Sequence, residues 1–190
     1  EVALALVKPE GFDEQDDVYT AEISVPLNKE HLLLSWQRMR ERNSGDFGFH
    51  YEPYNFDSNP EMNFFEQLLA HLNLHPTEVE DIYFTGALTS PSKTDFTIEY
   101  LGADGRWHPY TPDFLIRRKD GRCTIVEVKS EHERNHPIDG AQGRKAMATR
   151  KWVDLNPDLL KYEMIFTATD TIAADQTRNV RAFAEGEHPA

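Results

Sequence analysis

Two acidic residues and one lysine are spaced so that they could act together on a phosphate ester. Asp113 lies in one apolar, β-type segment, and Glu127 and Lys129 lie in the next. An Asp-Gly pair at 120–121 separates the two segments, and such a pair favours a tight hairpin turn. Because residues two apart in a strand point to the same face, we expect Asp113, Glu127 and Lys129 to lie close together beside an apolar sheet.

A divalent metal ion is the group that such a cluster favours. Two neighbouring carboxylates repel each other, which raises the pKa of one of them unless a cation lies between them. Mg²⁺ takes oxygen ligands, keeps several waters and lowers the pKa of a bound water, and we expect Mn²⁺ to substitute for it. A lysine can neutralise charge on an attacked phosphate. The three residues therefore predict Mg²⁺-dependent hydrolysis of a phosphodiester.

Helices and strands alternate around this cluster. Ser58 is suited to a helix N-cap, Pro60 to the first turn, and Glu61 follows three residues after the cap. From Glu61 onward we predict a helix, strands at 95–101, 110–117 and 123–130, a helix at 142–155 and a strand at 162–167, with a weaker strand signal at 81–84.

The two ends of the chain have weaker patterns. We predict strands at 2–7 and 19–25, an acidic turn at 11–17 between them, and a helix at 31–42. The segment after 171 is small and polar, which indicates a frayed helix or a disordered tail. We therefore divide the chain into an N-terminal extension or connector at 1–50, a catalytic domain at 51–170 and a poorly patterned tail at 171–190.

Charge is unevenly distributed along the 190 residues. The net charge is −13, which argues against a general nucleic-acid coat protein. Residues 117–151, however, hold ten basic and five acidic residues, whereas 1–55 hold five basic and eleven acidic ones. A locally basic stretch is where contact with phosphate is expected, although a solvated surface with scattered charge explains the same composition.

The cysteine count and the hydropathy pattern give the expected cellular setting. The single Cys123 excludes an internal disulfide and fits a reducing, cytoplasmic compartment. No apolar run approaches the length of a membrane span, so we expect no membrane association.

The motifs resemble those of the PD-(D/E)XK nuclease superfamily. Pro112-Asp113 is followed after thirteen residues by Glu127-Val128-Lys129, and the order of predicted elements is similar to that family's core. The resemblance covers about 56–167. It implies an α/β, restriction-endonuclease-like αβββαβ core, in which helices flank a mixed central sheet, here with an N-terminal α+β extension. It also implies that Asp113, Glu127 and the carbonyl of Val128 bind the metal, that Lys129 is the catalytic lysine, and that DNA is the substrate.

Glu61 has two interpretations. Members of this superfamily often supply a further acidic residue from the first helix, and the segment before Phe64 resembles that helix start. On this basis Glu61, rather than Glu66, is assigned as a catalytic residue and metal ligand. The alternative is that Glu61 is only the glutamate of a capping box.

Two subfamilies show the closest resemblance. One is the nuclease domain of helicase-type restriction subunits, as in type III systems, which we favour for the helix that contains Lys145 and Trp152. The other is the endonuclease subunit of Tn7-like heteromeric transposases, which also carries a Tyr-Thr-Pro-Asp-Phe strand. The first implies a helicase or ATPase, or another DNA-processing subunit, as partner. A homodimer is also expected, since two cuts on a duplex need two sites.

Residues after the cluster are further candidates. Gln142, Arg144 and Lys145 open the helix that follows, where related nucleases often contact substrate, although an exposed helix face explains them equally well. His132 and His136 have the spacing of a zinc pair, but no third ligand is evident and a loop near DNA is the better interpretation.

Three functions therefore stay open. The chain is an active metal-dependent nuclease, a DNA-binding or docking module on the same fold that is inactive without a partner, or an unrelated α/β domain in which the acids and the lysine form a structural ion pair. Metal-linked activity or stability distinguishes them.

Overall fold

A computed structural model describes residues 13–16, 18–20, 22–75, 77–86, 88, 92–134, 140–169 and 171–186. The strands are β1 Asp13–Gln15, β2 Val18–Thr20, β3 Leu33–Leu34, β4 Tyr54–Asn55, β5 Val79–Phe84, β6 Ile98–Leu101, β7 Trp107–Tyr110, β8 Phe114–Arg118, β9 Cys123–Ser130 and β10 Leu160–Thr167. The α-helices are α1 Trp36–Met39, α2 Asn59–Leu74, α3 Ala141–Asp154 and α4 Arg178–Glu185. None of the helices among these residues is long and apolar enough to cross a membrane.

A mixed four-stranded sheet forms the centre of the fold. Its strand order is β10-β9-β8-β5, in which β8 is antiparallel to both β5 and β9, and β10 is parallel to β9. The parallel pair requires a crossover, which α3 supplies between β9 and β10. The element order α2, β5, β8, β9, α3, β10 is therefore the αβββαβ arrangement expected from the sequence.

The identity of the first core strand differs from the prediction. The weakly patterned segment at 81–84 belongs to β5, which pairs with β8 in the central sheet. The clearly alternating segment at 95–101 instead forms β6, which among the described strands pairs with β7 alone, in a separate hairpin. The predicted strand 110–117 accordingly contains the last residue of β7 and most of β8, with residues 111–113 between them.

The two faces of the sheet are covered by different helices. Val126 and Val128 belong to the larger core cluster, which includes the apolar side of α2. Ile125 belongs to a smaller cluster that includes Ala148 and Trp152 of α3. Because alternate residues of a strand point to opposite faces, Glu127 and Lys129 are directed to the α3 side together with Ile125.

Local sequence explains why α2 begins where it does. The Ser58 hydroxyl accepts a hydrogen bond from the Glu61 N–H at 3.4 Å, and proline occupies the first turn. The buried side of the helix then follows a helical repeat, and its members are Phe64, Phe65, Leu68, Leu69 and Leu72. These rings and leucines hold α2 against the sheet, so its N-terminus is fixed in position.

The N-terminal part of the chain is more broken than predicted. The expected helix at 31–42 is instead a 3₁₀ turn Leu27–Leu32, the short β3, the single turn α1 and a second 3₁₀ turn. Pairing of β3 with β4 interrupts the helical pattern, and Ser35 caps the new start at α1. Part of the predicted acidic turn at 11–17 is β1, and the predicted strand at 19–25 is reduced to β2. The predicted strand at 2–7 lies outside the described residues.

The C-terminal segment contains a packed helix. Val180, Phe183 and Ala184 of α4 are buried in the larger core cluster. The guanidinium of Arg118, itself buried, donates a hydrogen bond to the Phe183 carbonyl at 2.7 Å and ties α4 to the sheet. The segment predicted to be a frayed helix or a disordered tail therefore contains a helix whose apolar residues pack in the core.

Candidate functional site

Asp113 lies just before β8, at the point where pairing of β8 with β9 stops. Phe114 pairs with Val126, so Asp113 stands opposite Glu127 one step beyond the paired residues. Its Oδ2 accepts a hydrogen bond from the Val128 N–H at 2.9 Å. The carboxylate thus takes the place of the next backbone partner of β9, and this contact holds Asp113 at the end of the hairpin.

Lys129 joins the two carboxylates. Its Nζ lies 2.7 Å from Glu127 Oε2 and 3.8 Å from Asp113 Oδ2. Glu127 is almost completely buried, with 1% of its side chain exposed, whereas Asp113 and Lys129 keep some solvent contact. The structure therefore brings together the three residues that the sequence placed in one cluster.

The carboxylate of Glu127 is poorly satisfied. Neither of its oxygens receives a hydrogen bond of good geometry from the described residues, although Lys129 lies at ion-pair distance from Oε2. A buried carboxylate oxygen without a donor is costly, so Oε1 calls for a cation or a donor from outside the described chain.

Burial and charge shift the pKa values of all three groups. Burial raises the pKa of the Asp113 and Glu127 carboxyls, and Lys129 opposes part of that rise. Burial lowers the pKa of Lys129, but the two carboxylates raise it more, so the net shift is upward. The raised pKa values of all three groups indicate a site that attracts positive charge. Lys129 therefore stays protonated near neutral pH.

Glu61 makes the capping contacts of one of its two interpretations, and its role as a metal ligand stays a prediction. Its Oε1 accepts a hydrogen bond from the Ser58 hydroxyl at 2.8 Å, and its Oε2 accepts one from the Asp57 N–H at 3.1 Å. These contacts form the cap of α2. Burial, followed by repulsion from Asp113, raises the pKa of Glu61 to about 7. The cap glutamate thus lies within the electrostatic field of the cluster.

The donor set fits a hard divalent cation. Mg²⁺ needs only one or two protein carboxylates because it retains waters, and Asp113 and Glu127 supply two. The N–H and C=O of one strand residue point to the same edge, so the Val128 carbonyl faces the Asp113 side, as its N–H does. Within the described ranges, no group of three or more His, Cys, Asp or Glu side chains is arranged as a metal site. Any cation held here would accordingly keep waters.

The predicted substrate-contacting residues of α3 have different surroundings. Lys145 lies over the rings of Tyr100 and Tyr110, at 5.9 and 5.2 Å from their centroids. Its charge lowers the pKa of both Asp113 and Glu127, so it belongs to the same electrostatic site. Arg144 instead donates to the carbonyls of Leu101 and Gly102 at 3.2 and 3.4 Å, on the β6–β7 hairpin.

Sequence reasoning missed the role of Glu133. Its Oε2 accepts a hydrogen bond from the Ser130 N–H at 3.0 Å, and its Oε1 accepts one from Gln142 Nε2 at 3.3 Å. Glu133 also raises the pKa of Glu127 and Lys129. The Ser-x-x-Glu capping box that begins at Ser130 was the available signal. Through Glu133, the end of β9 is tied to the start of α3.

Two other residues considered from the sequence are His132 and Cys123. His132 Nδ1 lies 2.6 Å from the Ser130 hydroxyl, and His136 falls outside the described residues, so the preferred interpretation of this segment as a loop near DNA, rather than a zinc pair, stays a prediction. Burial raises the pKa of Cys123, which opposes formation of a nucleophilic thiolate.

A groove of about 670 Å³ lies between α3 and the β6–β7 hairpin. Four of its lining residues are large apolar side chains that remain strongly exposed, and these are Leu101, Trp107, Met147 and Leu155. Arg144 and Lys151 also line it, together with Asp95 and Glu99. Tyr100 lines the groove and contacts Lys145, so the groove adjoins the cluster on the α3 side.

Comparison with known proteins gave one match. Residues 79–165 match the family described as TnsA-like endonuclease N terminal. The matched segment runs from β5 into β10 and includes Asp113, Glu127 and Lys129, but it begins after α2 and therefore excludes Glu61. No curated protein and no solved structure matched the chain.

The match and the sheet topology agree on one fold type. A mixed central sheet flanked by α2 and α3 is the arrangement of restriction-endonuclease-like nucleases, and the match supports both that superfamily and the transposase-type alternative. The described chain thus has a nuclease-like α/β fold whose segment 79–165 is similar to TnsA-like endonucleases.

Proposed function

We propose that this protein is a metal-dependent DNA endonuclease that hydrolyses phosphodiester bonds. The observation that carries the proposal is the buried Glu127 carboxylate, which lies beside Asp113 and Lys129 and has an oxygen without a donor among the described residues. Asp113, Glu127 and the Val128 carbonyl would hold Mg²⁺ or Mn²⁺, and Glu61 would act from the start of α2 on the waters of that ion or on the ion itself. When bound, the metal supplies charge stabilisation and an activated water.

Lys129 acts as a cation in this proposal. Its raised pKa keeps the ammonium protonated, so it does not accept a proton from the attacking water. It instead donates hydrogen bonds to the phosphate oxygens and offsets the charge that develops there. Lys145 adds a second positive charge on the α3 side, where the DNA backbone would approach.

The family match favours a transposase-type endonuclease subunit over the nuclease domain of a type III restriction subunit. Residues 79–165 match the TnsA-like endonuclease family, which corresponds to the transposase-type alternative. No comparison supports the type III restriction alternative. We propose DNA as the substrate and a DNA-processing subunit as partner. The expected helicase or ATPase and the homodimer stay proposals, as does a cytoplasmic location.

Cleavage of supercoiled and linear DNA with Mg²⁺ or Mn²⁺ tests the main proposal. The parent should cut with either metal, and Asp113→Asn and Lys129→Ala should each lower the rate at least about 100-fold, as loss of a charged transition-state contact does. Asp104→Asn is the matched control, because Asp104 is an exposed acid that pairs with His108 on the β6–β7 turn. Unchanged cutting in the Asp113 and Lys129 variants would refute the assignment.

The exposed apolar groove favours a second candidate function. Apolar side chains clustered beside a site mark protein interaction surfaces, and four of them line this groove. In this second candidate function, the chain is a docking or DNA-binding module that cuts DNA only when a partner covers the groove. It predicts an inert parent whose melting temperature still rises with Mn²⁺, and a rise that Asp113→Asn abolishes.

A further inference from the structure

Tyr162 is a second buried polar group beside the cluster. Its hydroxyl oxygen is shielded from solvent and has no hydrogen-bond partner among the described residues. The same is true of Glu127 Oε1. Buried polar atoms in folded proteins are nearly always paired with protein groups, ions or ordered water, so each of these two atoms needs a partner, and one water molecule could serve both.

The register of the sheet places these two groups on one face. In the parallel β9–β10 pair, Ile125 stands beside Tyr162 and Glu127 stands beside Met164. Tyr162 and Glu127 are therefore diagonal neighbours on the α3 side, with Cα atoms about 8 Å apart by strand geometry. Long side chains span such a diagonal, and Tyr162 packs on the cluster that contains Ile125 and Trp152.

The electrostatic interaction between Tyr162 and Glu127 also indicates that the two side chains are close. Burial is the main cause that raises the pKa of Tyr162, and the largest contribution from a charged group comes from Glu127, followed by Lys129. A cavity of about 490 Å³ has Tyr162 among its lining residues, together with Arg134 and Arg150.

We propose that the Tyr162 hydroxyl positions Glu127 through a shared buried water molecule. The hydroxyl donates to the water, and the water donates to Glu127 Oε1, so both buried atoms gain a partner. Tyr162 is thus a positioning residue that fixes the orientation of a metal-binding carboxylate. This inference rests on the proposed metal-dependent function, because its main consequence is for metal affinity.

The test compares Tyr162→Phe with Tyr54→Phe. Tyr54 is buried on β4, and its hydroxyl accepts from the His50 N–H at 3.3 Å, outside the cluster. Each protein is titrated with Mn²⁺ while its melting temperature is followed without DNA, and the Mn²⁺ dependence of cleavage is measured separately. Loss of a group that orients a metal ligand should raise the half-saturating Mn²⁺ concentration 10–100-fold in Tyr162→Phe, with kcat largely recovered at saturation. Tyr54→Phe should leave it unchanged.

Urea unfolding without metal gives an independent readout. If the Tyr162 hydroxyl is hydrogen-bonded to a water molecule, Tyr162→Phe should lower the urea concentration at the unfolding midpoint. If the hydroxyl is unpaired, its removal should leave that midpoint unchanged or raise it. An unchanged or raised urea midpoint in Tyr162→Phe overturns the inference. So does an unchanged half-saturating Mn²⁺ concentration in Tyr162→Phe, when the parent itself responds to Mn²⁺. A parent that neither melts at a different temperature with Mn²⁺ nor cuts DNA refutes the proposed function and, with it, the positioning role.

Discussion

Replacement of Glu61 by glutamine should remove part of the pH dependence of stability. Glu61 is buried at the start of α2 and close enough to Asp113 for repulsion, and its pKa is raised to about 7. Glutamine preserves the size of the side chain and can still accept from the Asp57 N–H and contact the Ser58 hydroxyl. The variant therefore changes the charge at this position and little of the packing.

The sign and size of the effect follow from proton linkage. Between pH 4.5 and 7 the folded protein retains a proton on Glu61 that the unfolded chain has released, so stability falls as pH rises through this window. A rise from 4.5 to about 7 corresponds to about 3 kcal/mol, at 1.36 kcal/mol per pKa unit. Asp113 and Glu127 contribute with the same sign, but their own burial is the same in both proteins and cancels in the difference, which leaves the repulsion between Asp113 and Glu61 as part of the measured effect.

Urea unfolding at pH 5 and pH 8, in the presence of a chelator, measures this difference. The parent should lose about 2–3 kcal/mol more unfolding free energy than Glu61→Gln between the two pH values, because part of the titration of the unfolded chain is already complete at pH 5. Glu66→Gln is the matched control, because Glu66 lies on the same helix and remains partly exposed. Equal pH dependence in the parent and in Glu61→Gln would refute the argument that Glu61 is buried within the field of Asp113.

Three further predictions concern the scaffold. Phe114→Ala should lower the unfolding free energy by about 3–5 kcal/mol in urea, because Phe114 is fully buried against four other phenylalanine rings; a loss below about 1 kcal/mol would contradict that packing. Ser58→Ala should cost about 1 kcal/mol in thermal unfolding through loss of the α2 cap, whereas Ser58→Thr, whose hydroxyl can both accept from the Glu61 N–H and donate to its carboxylate, should retain most of it. Arg118→Met should increase amide hydrogen exchange in α4, since Arg118 donates to the Phe183 carbonyl; equal protection of α4 in both proteins would contradict this role.

Local patterns determined the chemistry of the site. Asp113, Glu127 and Lys129 were placed together from the Asp-Gly turn and the two-residue period of strands, both of which are properties of short segments. The start of α2 at Ser58 was equally local, because a cap and a helical apolar repeat act within a few residues. The same holds for the positions of α3 and β10, within two residues at each end.

Local sequence patterns could not predict which strands belong to the central sheet. The segment at 95–101 alternates clearly, yet it forms a peripheral hairpin, while the weaker β5 supplies the core strand. Alternation reports that one face of a strand is buried, but it does not report which partner covers that face. Likewise, β3 interrupts a helical repeat only because β4 lies beside it, and α4 is held by the distant Arg118.

The tertiary structure alone decided the electrostatic state of the site. The sequence determined which acids and which lysine meet, since that depends on a hairpin. The burial of Glu127, the raised pKa of Glu61 and the approach of Tyr162 depend on how α2, α3 and β10 pack around that hairpin. Desolvation and charge interactions act through space between elements distant in the chain, so no local pattern in the sequence contains them.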